Sequence, residues 1–204
     1  LAIFITLILF ARIRRTSMII MLLVISSLAI PVWNWGMRDY QRVRVTSFLN
    51  PEGLSHESGW QVRQSVIAIA SGGVTGKGHR QGTQVQWGYV PENENDFIFA
   101  HIGEEYGFIG SSILLFLYSV LIFWSLRIAR YSRDRFGVLV AVGVASLFFW
   151  HVVINIGMVL GLLPVVGLWL PFVSYGGSSM VTVMICVGLL MNLSIRRNAF
   201  QTVQ

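Results

Sequence analysis

Residues 136–195 read FGVLVAVGVASLFFWHVVINIGMVLGLLPVVGLWLPFVSYGGSSMVTVMICVGLLMNLSI, without a single Asp, Glu, Lys or Arg. The stretch is about three times as long as the ~20 apolar residues with which a helix crosses a hydrocarbon core. Two prolines and several glycines interrupt its middle and disfavour one continuous helix. We therefore predict two membrane spans, 137–159 and 178–195, joined by a re-entrant segment, 160–179. A plain turn outside the membrane is the alternative.

Two shorter charge-free stretches each suit one further crossing, and they predict spans at 16–35 and 109–126. The chain has 54% hydrophobic and 12% charged residues, unlike a soluble domain. Residues 1–11 are too few to span alone and Leu1 is not Met, so we interpret the chain as lacking its earlier helices. The predicted fold class is all-α, a polytopic helical membrane protein with four full transmembrane helices, one partial helix and a large extracellular loop.

The arginines predict which side of the membrane is cytoplasmic. Nine of the fifteen Lys and Arg residues fall in three short segments that alternating spans place on one side. The positive-inside rule makes that side cytoplasmic. The net charge of +6 is then mainly a topology signal, and we predict no binding of nucleic acid. The nine residues are Arg12, Arg14, Arg15, Arg127, Arg130, Arg133, Arg135, Arg196 and Arg197.

The segment 36–108 then lies outside the cell and is too long for a plain connector. Within it, residues 59–70 (GWQVRQSVIAIA) mix apolar and polar positions, which predicts a short interfacial or re-entrant helix. The glycine-rich stretch that follows, 72–82 (GGVTGKGHRQG), disfavours regular helix. From Asp96 onward the pattern is helical again and runs into the span at 109–126.

Asp96 is the candidate general base of this loop. Apolar neighbours at a membrane boundary desolvate a carboxylate in part, and such a carboxylate binds a proton more readily than one in water. The alternative is that Asp96 caps the helix that follows, and the two roles are compatible. Glu104 lies eight residues on, about two helical turns, on a similar face.

Lys77 and Arg80 stand among the glycines of the 72–82 stretch. Cationic side chains and backbone N–H groups together can cradle a phosphate. The alternative is a solvated turn, because Gly78 replaces the Ser or Thr that follows the Lys of a P-loop. In the long apolar stretch, His151 and Asn155 are one helical turn apart, and we predict an interhelical hydrogen bond for each.

Three segments resemble, in order and spacing, the signature segments of the RodA/FtsW (SEDS) family, and together they cover nearly the whole chain. The chain matches the C-terminal half of that family's membrane domain. The P-V-V-G run that ends at Gly167 lacks the Lys typical of FtsW, which favours RodA and leaves a sporulation paralogue as the alternative. The three segments are GWQVRQSVIAIASGGVTGKGHRQGTQ (59–84), VPENENDFIFAHIGEEYGFIG (90–110) and NIGMVLGLLPVVGLWLPFVSYGGSS (155–179).

The resemblance implies a lipid II-dependent peptidoglycan glycosyltransferase of the bacterial inner membrane, serving cell-wall elongation and cell shape. Asp96 occupies the essential acid of the family pattern that ends D-F-I-F-A. The implied partners are lipid II, nascent glycan and a class B penicillin-binding protein. A divalent cation, Mg²⁺ or Mn²⁺, is the implied cofactor, with ligands unknown. The implied substrate contacts are Lys77, Arg80, Gln84, Glu105 and Ser174.

Two other functions are compatible with the resemblance, a lipid II flippase and a non-enzymatic scaffold for a penicillin-binding protein. A flippase needs polar groups through the whole bilayer depth. Here the ionisable groups cluster at the outer face, which favours chemistry at the surface. For the basic loop, we expect Lys77→Ala with Arg80→Ala to weaken use of lipid II with little change in thermal stability.

The predicted sidedness can be tested by cysteine labelling of intact cells. A cysteine at Gln86 should react with an impermeant thiol reagent added outside, and one at Ser132 should not, because the arginines place Ser132 in the cytoplasm. The parent chain, whose single cysteine is Cys186, serves as the control. The reverse labelling pattern would invert the topology.

Overall fold

The computed structural model describes residues 2–10, 23–24, 26–27, 36, 57–82, 96–132 and 134–199. These residues form five α-helices and no strand, in agreement with the predicted all-α class. The predicted span at 16–35 falls almost entirely outside them. The helices are α1 (Ala2–Phe10), α2 (Glu57–Gly72), α3 (Ile98–Tyr131), α4 (Arg135–Val159) and α5 (Gly177–Ala199).

Three of these helices are long and apolar enough to cross a membrane, namely α3, α4 and the Gly177–Ile195 part of α5. They match the three spans predicted from the second half of the sequence. Large apolar side chains on α3 point outward, since Phe108 is 71% exposed and Phe123 is 69% exposed. Such a surface suits lipid or neighbouring protein rather than water. The described part of the chain is therefore a helical membrane protein.

The loop predicted between α3 and α4 is shorter than expected. Arg127 and Arg130 lie within α3, which continues to Tyr131, and Asp134 is already the N-cap residue of α4. A long arginine side chain can carry its charge to the interface while its backbone stays helical. The guanidinium carbon of Arg127 lies 5.9 Å from the ring centroid of Trp124, a cation–π distance.

Two apolar clusters hold the helices together. One joins the second half of α3 to α4 and α5, and it includes Phe148 and Cys186. The other joins α2, the start of α3, the end of α4 and the segment after it, through residues such as Phe97, Met158 and Leu170. The second cluster fixes the backbone around Asp96.

Helix α3 is broken at Gly107, where φ is +63° and ψ is −159°. In a continuous helix the N–H groups of Phe108 and Ile109 would donate to the carbonyls of Glu104 and Glu105. The break separates these two pairs. All four groups need new partners, because an unpaired buried backbone group costs as much as a lost hydrogen bond.

The glycine loop, residues 73–82, supplies those partners. The break releases the carbonyls of Glu104 and Glu105. The N–H group of Lys77 donates to the first and that of Gly78 to the second, each at a distance of 3.0 Å. The carbonyl oxygens of Gly73 and Val74 accept from the N–H groups of Phe108 and Ile109 at 2.9 and 3.1 Å. We call this four-bond exchange the splice.

The splice requires very close approach of two backbones. A Cβ atom on Gly107 would lie 2.3 Å from the nitrogen of Gly76, and one on Gly76 would lie 2.1 Å from the carbonyl oxygen of Glu105. Both glycines also have positive φ, +63° and +81°, which costs an L-residue energy even without a clash. The alternative of a solvated turn thus holds in part: the loop backbone is packed against α3, while most residues of the loop, Arg80 among them, are exposed.

The splice predicts opposite effects for two glycine-to-alanine changes. Gly107→Ala should lower the apparent unfolding temperature in detergent by several degrees, since a Cβ meets backbone there and φ is unfavourable. The matched control is Gly188→Ala in α5, where an added Cβ meets nothing within 4 Å. That variant should be neutral or slightly stabilising, because alanine favours helix over glycine. Equal effects of the two changes would contradict the splice.

Candidate active site

Asp96 lies at the start of α3, one residue before the N-cap residue, which is Phe97. The N-cap position considered for Asp96 thus belongs to its neighbour. The side chains of Phe97 and Phe99 are 2% and 4% exposed and are anchored in the second apolar cluster. Asp96 itself is partly buried. Its backbone is thereby held in place while its carboxylate stays near the edge of the cluster.

Asn155, near the end of α4, holds the backbone of Asp96 directly. Its side-chain nitrogen donates to the carbonyl oxygen of Asp96 at 2.9 Å and to that of Leu168 at 2.5 Å. Because both partners can only accept, they fix which end of the amide is the nitrogen. The prediction of an interhelical hydrogen bond for Asn155 is wrong, because its amide donates to two backbone carbonyls that lie outside helices.

The segment between α4 and α5, residues 160–176, turns back along α4. Nδ1 of His151 lies 3.3 Å from the carbonyl oxygen of Trp169, and the two rings are 4.5 Å apart between centroids. The hydroxyl of Tyr118 on α3 donates to the carbonyl oxygen of Pro171. Side chains from two helices thus satisfy the irregular backbone, as non-helical chain in apolar surroundings requires. A location at membrane depth stays a prediction.

This segment also meets the carboxylate of Asp96. At Gly167, where φ is +70°, an added Cβ would lie 3.1 Å from Oδ2 of Asp96. Asp96 is therefore enclosed by two different parts of the chain: Asn155 holds its carbonyl and the Gly167 backbone lies against its carboxylate. The structure thus brings the returning segment into contact with Asp96.

Lys77 and Glu104 form an ion pair beneath the splice. Nζ of Lys77 lies 2.7 Å from Oε1 of Glu104, whose side chain is 0% exposed while that of Lys77 is 27% exposed. The pair compensates a buried charge, which would otherwise be very costly. Glu104 is therefore paired with Lys77 and does not act as a second catalytic acid next to Asp96. Eight residues separate Glu104 from Asp96, which corresponds to about 12 Å along a helix axis.

Glu105 is buried as well, at 2% exposure. Its carboxylate accepts the backbone N–H of Arg80 at 2.7 Å and lies 3.1 Å from Nδ1 of His79. On the other side, Nε2 of His101 is 3.5 Å away. Glu105 thus holds the glycine loop, and a contact with substrate stays a prediction.

The remaining predicted substrate contacts divide between the loop and the 160–176 segment. The side chain of Arg80 is exposed on the loop, at a positive φ of +59°. Oγ of Ser174 accepts the N–H of Leu170 at 2.6 Å, and Ser174 is buried. Ser174 thus stabilises the turn at Leu170, a residue of the second apolar cluster. Gln84 lies outside the described residues. Of the predicted contacts, Lys77, Arg80 and Glu105 therefore lie at the splice, and Ser174 lies in the 160–176 segment.

The predicted divalent cation finds no site in the part of the chain that the structure describes. No group of three or more His, Cys, Asp or Glu side chains there is arranged to hold a metal ion. The two buried carboxylates near the loop already bind Lys77 and the N–H of Arg80. The described residues therefore do not fit a metal ion, and the cation stays a prediction.

Comparison with known proteins identifies the family. The family model described as cell cycle protein, covering FtsW, RodA and SpoVE, matches residues 1–199. The chain belongs to this family. A solved structure described as "Structural coordination of polymerization and crosslinking by a peptidoglycan synthase complex" has a TM-score of 0.74 and 28% identity, covering 96% of this chain and 54% of that one.

Curated FtsW/RodA/SpoVE relatives show substantial identity. The peptidoglycan glycosyltransferase MrdB of Escherichia coli (strain K12) is 47% identical over 169 residues, 82% of this chain and 46% of MrdB. The peptidoglycan glycosyltransferase RodA of Treponema pallidum (strain Nichols) is 42% identical, covering 79% and 37%. Stage V sporulation protein E of Bacillus subtilis (strain 168) is 47% identical, covering 76% and 42%. The chain thus spans less than half the length of these relatives.

The buried ion pair changes one expectation drawn from the sequence, that loss of the Lys77 charge leaves thermal stability unchanged. Lys77→Ala strands a buried carboxylate and should cost up to about 3 kcal/mol, the low end for a broken buried pair because Lys77 is partly exposed. In a Glu104→Gln background the same change should cost much less. Unfolding temperatures of the four proteins of this double-mutant cycle measure the difference. Equal costs in both backgrounds would show that the pair is not coupled.

Proposed function

We propose that the protein is a peptidoglycan glycosyltransferase that polymerises lipid II, with Asp96 as its general base. The relatives that are 42–47% identical and named peptidoglycan glycosyltransferase support the activity. The observation that carries the assignment of Asp96 is its setting: a partly buried carboxylate against the Gly167 backbone, with its own backbone held by Asn155. A general base must be held in place and within reach of the proton that it removes.

In the proposed reaction, the 4-hydroxyl of a terminal GlcNAc attacks C1 of the MurNAc that carries undecaprenyl diphosphate. The bond from O4 to C1 forms as the bond from C1 to the phosphate oxygen breaks. The hydroxyl proton passes to the carboxylate of Asp96, and the electron pair leaves with the diphosphate. Attack on the face opposite the leaving group inverts the configuration and needs one base. No second carboxylate is required, in keeping with the burial and pairing of Glu104.

The diphosphate is proposed to meet the basic face of the glycine loop. Of the two basic residues in the loop, Arg80 is the better placed to contact the diphosphate. Its side chain is exposed, whereas Nζ of Lys77 lies 2.7 Å from Oε1 of Glu104. Guanidinium groups bind phosphate oxygens in bidentate fashion. Lys77 adds positive potential and fixes the loop. Gln84, Glu105 and Ser174 remain proposed contacts of secondary importance.

The proposed cellular setting is supported by the family and by the positions of the arginines. We place the protein in the bacterial inner membrane, with its arginine-rich short loops in the cytoplasm and residues 36–108 outside. The structural relative described as a peptidoglycan synthase complex for polymerization and crosslinking supports a class B penicillin-binding protein as partner. Cell-wall elongation is the proposed process from the RodA-like P-V-V-G run, although identity to MrdB and to the sporulation protein is the same, 47%.

Asp96→Asn should abolish polymerisation of purified lipid II by the full-length protein with its partner, at unchanged unfolding temperature. Asn keeps the shape of the side chain but cannot take up the proton. The matched control is Asp134→Asn, at the N-cap of α4, where the aspartate makes no side-chain capping bond. The control should polymerise normally.

Two results would contradict the two parts of this proposal. Normal polymerisation by Asp96→Asn would show that Asp96 is not the base. Lipid II transport by a wild-type protein that makes no polymer would favour the flippase instead.

A further inference from the structure

We propose that Asn155 is a positioning residue for catalysis, one that sets the place of the Asp96 carboxylate through two backbone carbonyls. The inference rests on the proposed function and adds to it a residue that does not itself touch the reacting atoms. It also assigns a task to the segment 160–176, which Asn155 ties to the base.

Asn155 makes one connection between three parts of the chain. It lies on α4, and its amide nitrogen reaches the carbonyl of Asp96 before α3 and the carbonyl of Leu168 in the returning segment. Leu168 immediately follows Gly167, whose Cα faces Oδ2 of Asp96. The same amide therefore sets both the backbone that carries the carboxylate and the backbone against which the carboxylate rests.

The Asn155 amide donates two hydrogen bonds and accepts none among the described residues. Asn155 is 0% exposed, and its Oδ1 has no hydrogen-bond partner among the described residues. An unpaired buried acceptor destabilises a fold. The two donated hydrogen bonds offset this cost, because they satisfy the carbonyls of Asp96 and Leu168. A buried polar atom without a partner in a native structure requires an explanation, and a functional role is one.

The two hydrogen bonds hold the backbone next to the proposed general base, where a small displacement changes the reaction rate. A displacement of about 1 Å between catalytic groups and substrate can cost about 100-fold in rate. Removing both donors frees the carbonyls of Asp96 and Leu168 to move toward other partners, and the Asp96 carboxylate moves with them. Binding of lipid II uses other residues, so the loss should appear in turnover rather than in binding.

The test compares turnover and apparent affinity for purified lipid II in the full-length protein with its partner. Asn155→Leu keeps the branching at Cγ, with bulkier methyl groups, and removes both donors, and its kcat should fall about 100-fold while KM changes less than about threefold. Asn155→Ser, which fits without crowding and offers a single donor, should lose at least about tenfold in kcat. The matched control is Ser146→Ala, a buried polar residue of the same helix whose hydrogen bond goes to its own helix, at Val142. It should stay near wild-type kcat.

Each outcome separates positioning from the alternatives. Wild-type kcat in either Asn155 variant overturns the inference, as does a rise in KM at constant kcat. A loss of kcat that merely follows the folded fraction, and that Ser146→Ala shares, shows a structural role only. If wild-type protein polymerises and Asp96→Asn does not, these results bear on Asn155 alone. If wild-type protein makes no polymer, the proposed function itself fails.

Discussion

Backbone hydrogen-bonding groups released by helix breaks must find partners, and this constraint shapes the region around Asp96. Among apolar side chains or lipid, a free N–H or C=O costs several kcal/mol. The described chain breaks its helical pattern at Gly107 and again over 160–176. At the first break the partners are backbone groups of the glycine loop. At the second they are backbone carbonyls of local turns together with the side chains of Asn155, His151 and Tyr118.

These two solutions act on opposite ends of the same half-helix, residues 98–106. Its C-terminal end is held by the splice and by the buried carboxylates of Glu104 and Glu105, which bind the loop. Its N-terminal end is held by Phe97 in the apolar cluster and by Asn155. The proposed catalytic group thus lies on an element fixed at both ends, which preserves its geometry. The irregular segments provide the rigidity that the proposed reaction needs.

The three long apolar helices of the described residues were predicted well, because charge and apolar length decide them. The ends of helices were harder to predict: α3 runs through Arg127 and Arg130, since an arginine stem can lie along apolar surface. The break at Gly107 was missed, because a glycine beside two glutamates also fits a continuous helix. Only the loop sequence, with glycines at positions such as Gly76, hinted that two backbones meet. Asp96 emerged from its place among apolar residues at the predicted membrane boundary and from the resemblance, whereas the partners of Asn155 are set by tertiary contacts that periodicity does not contain.

The splice also limits how the glycine loop can bind a phosphate. A backbone nest requires successive N–H groups that point at the anion, but the N–H groups of Lys77 and Gly78 donate to the carbonyls of α3, and that of Arg80 donates to Glu105. These three groups are therefore already committed within the fold. Recognition of a diphosphate by this loop must then depend on side chains, and the left-handed backbone at Arg80, with φ of +59°, sets the direction in which its exposed side chain leaves the loop. The glycines serve the docking of the loop on α3, and the basic residues among them carry the charge.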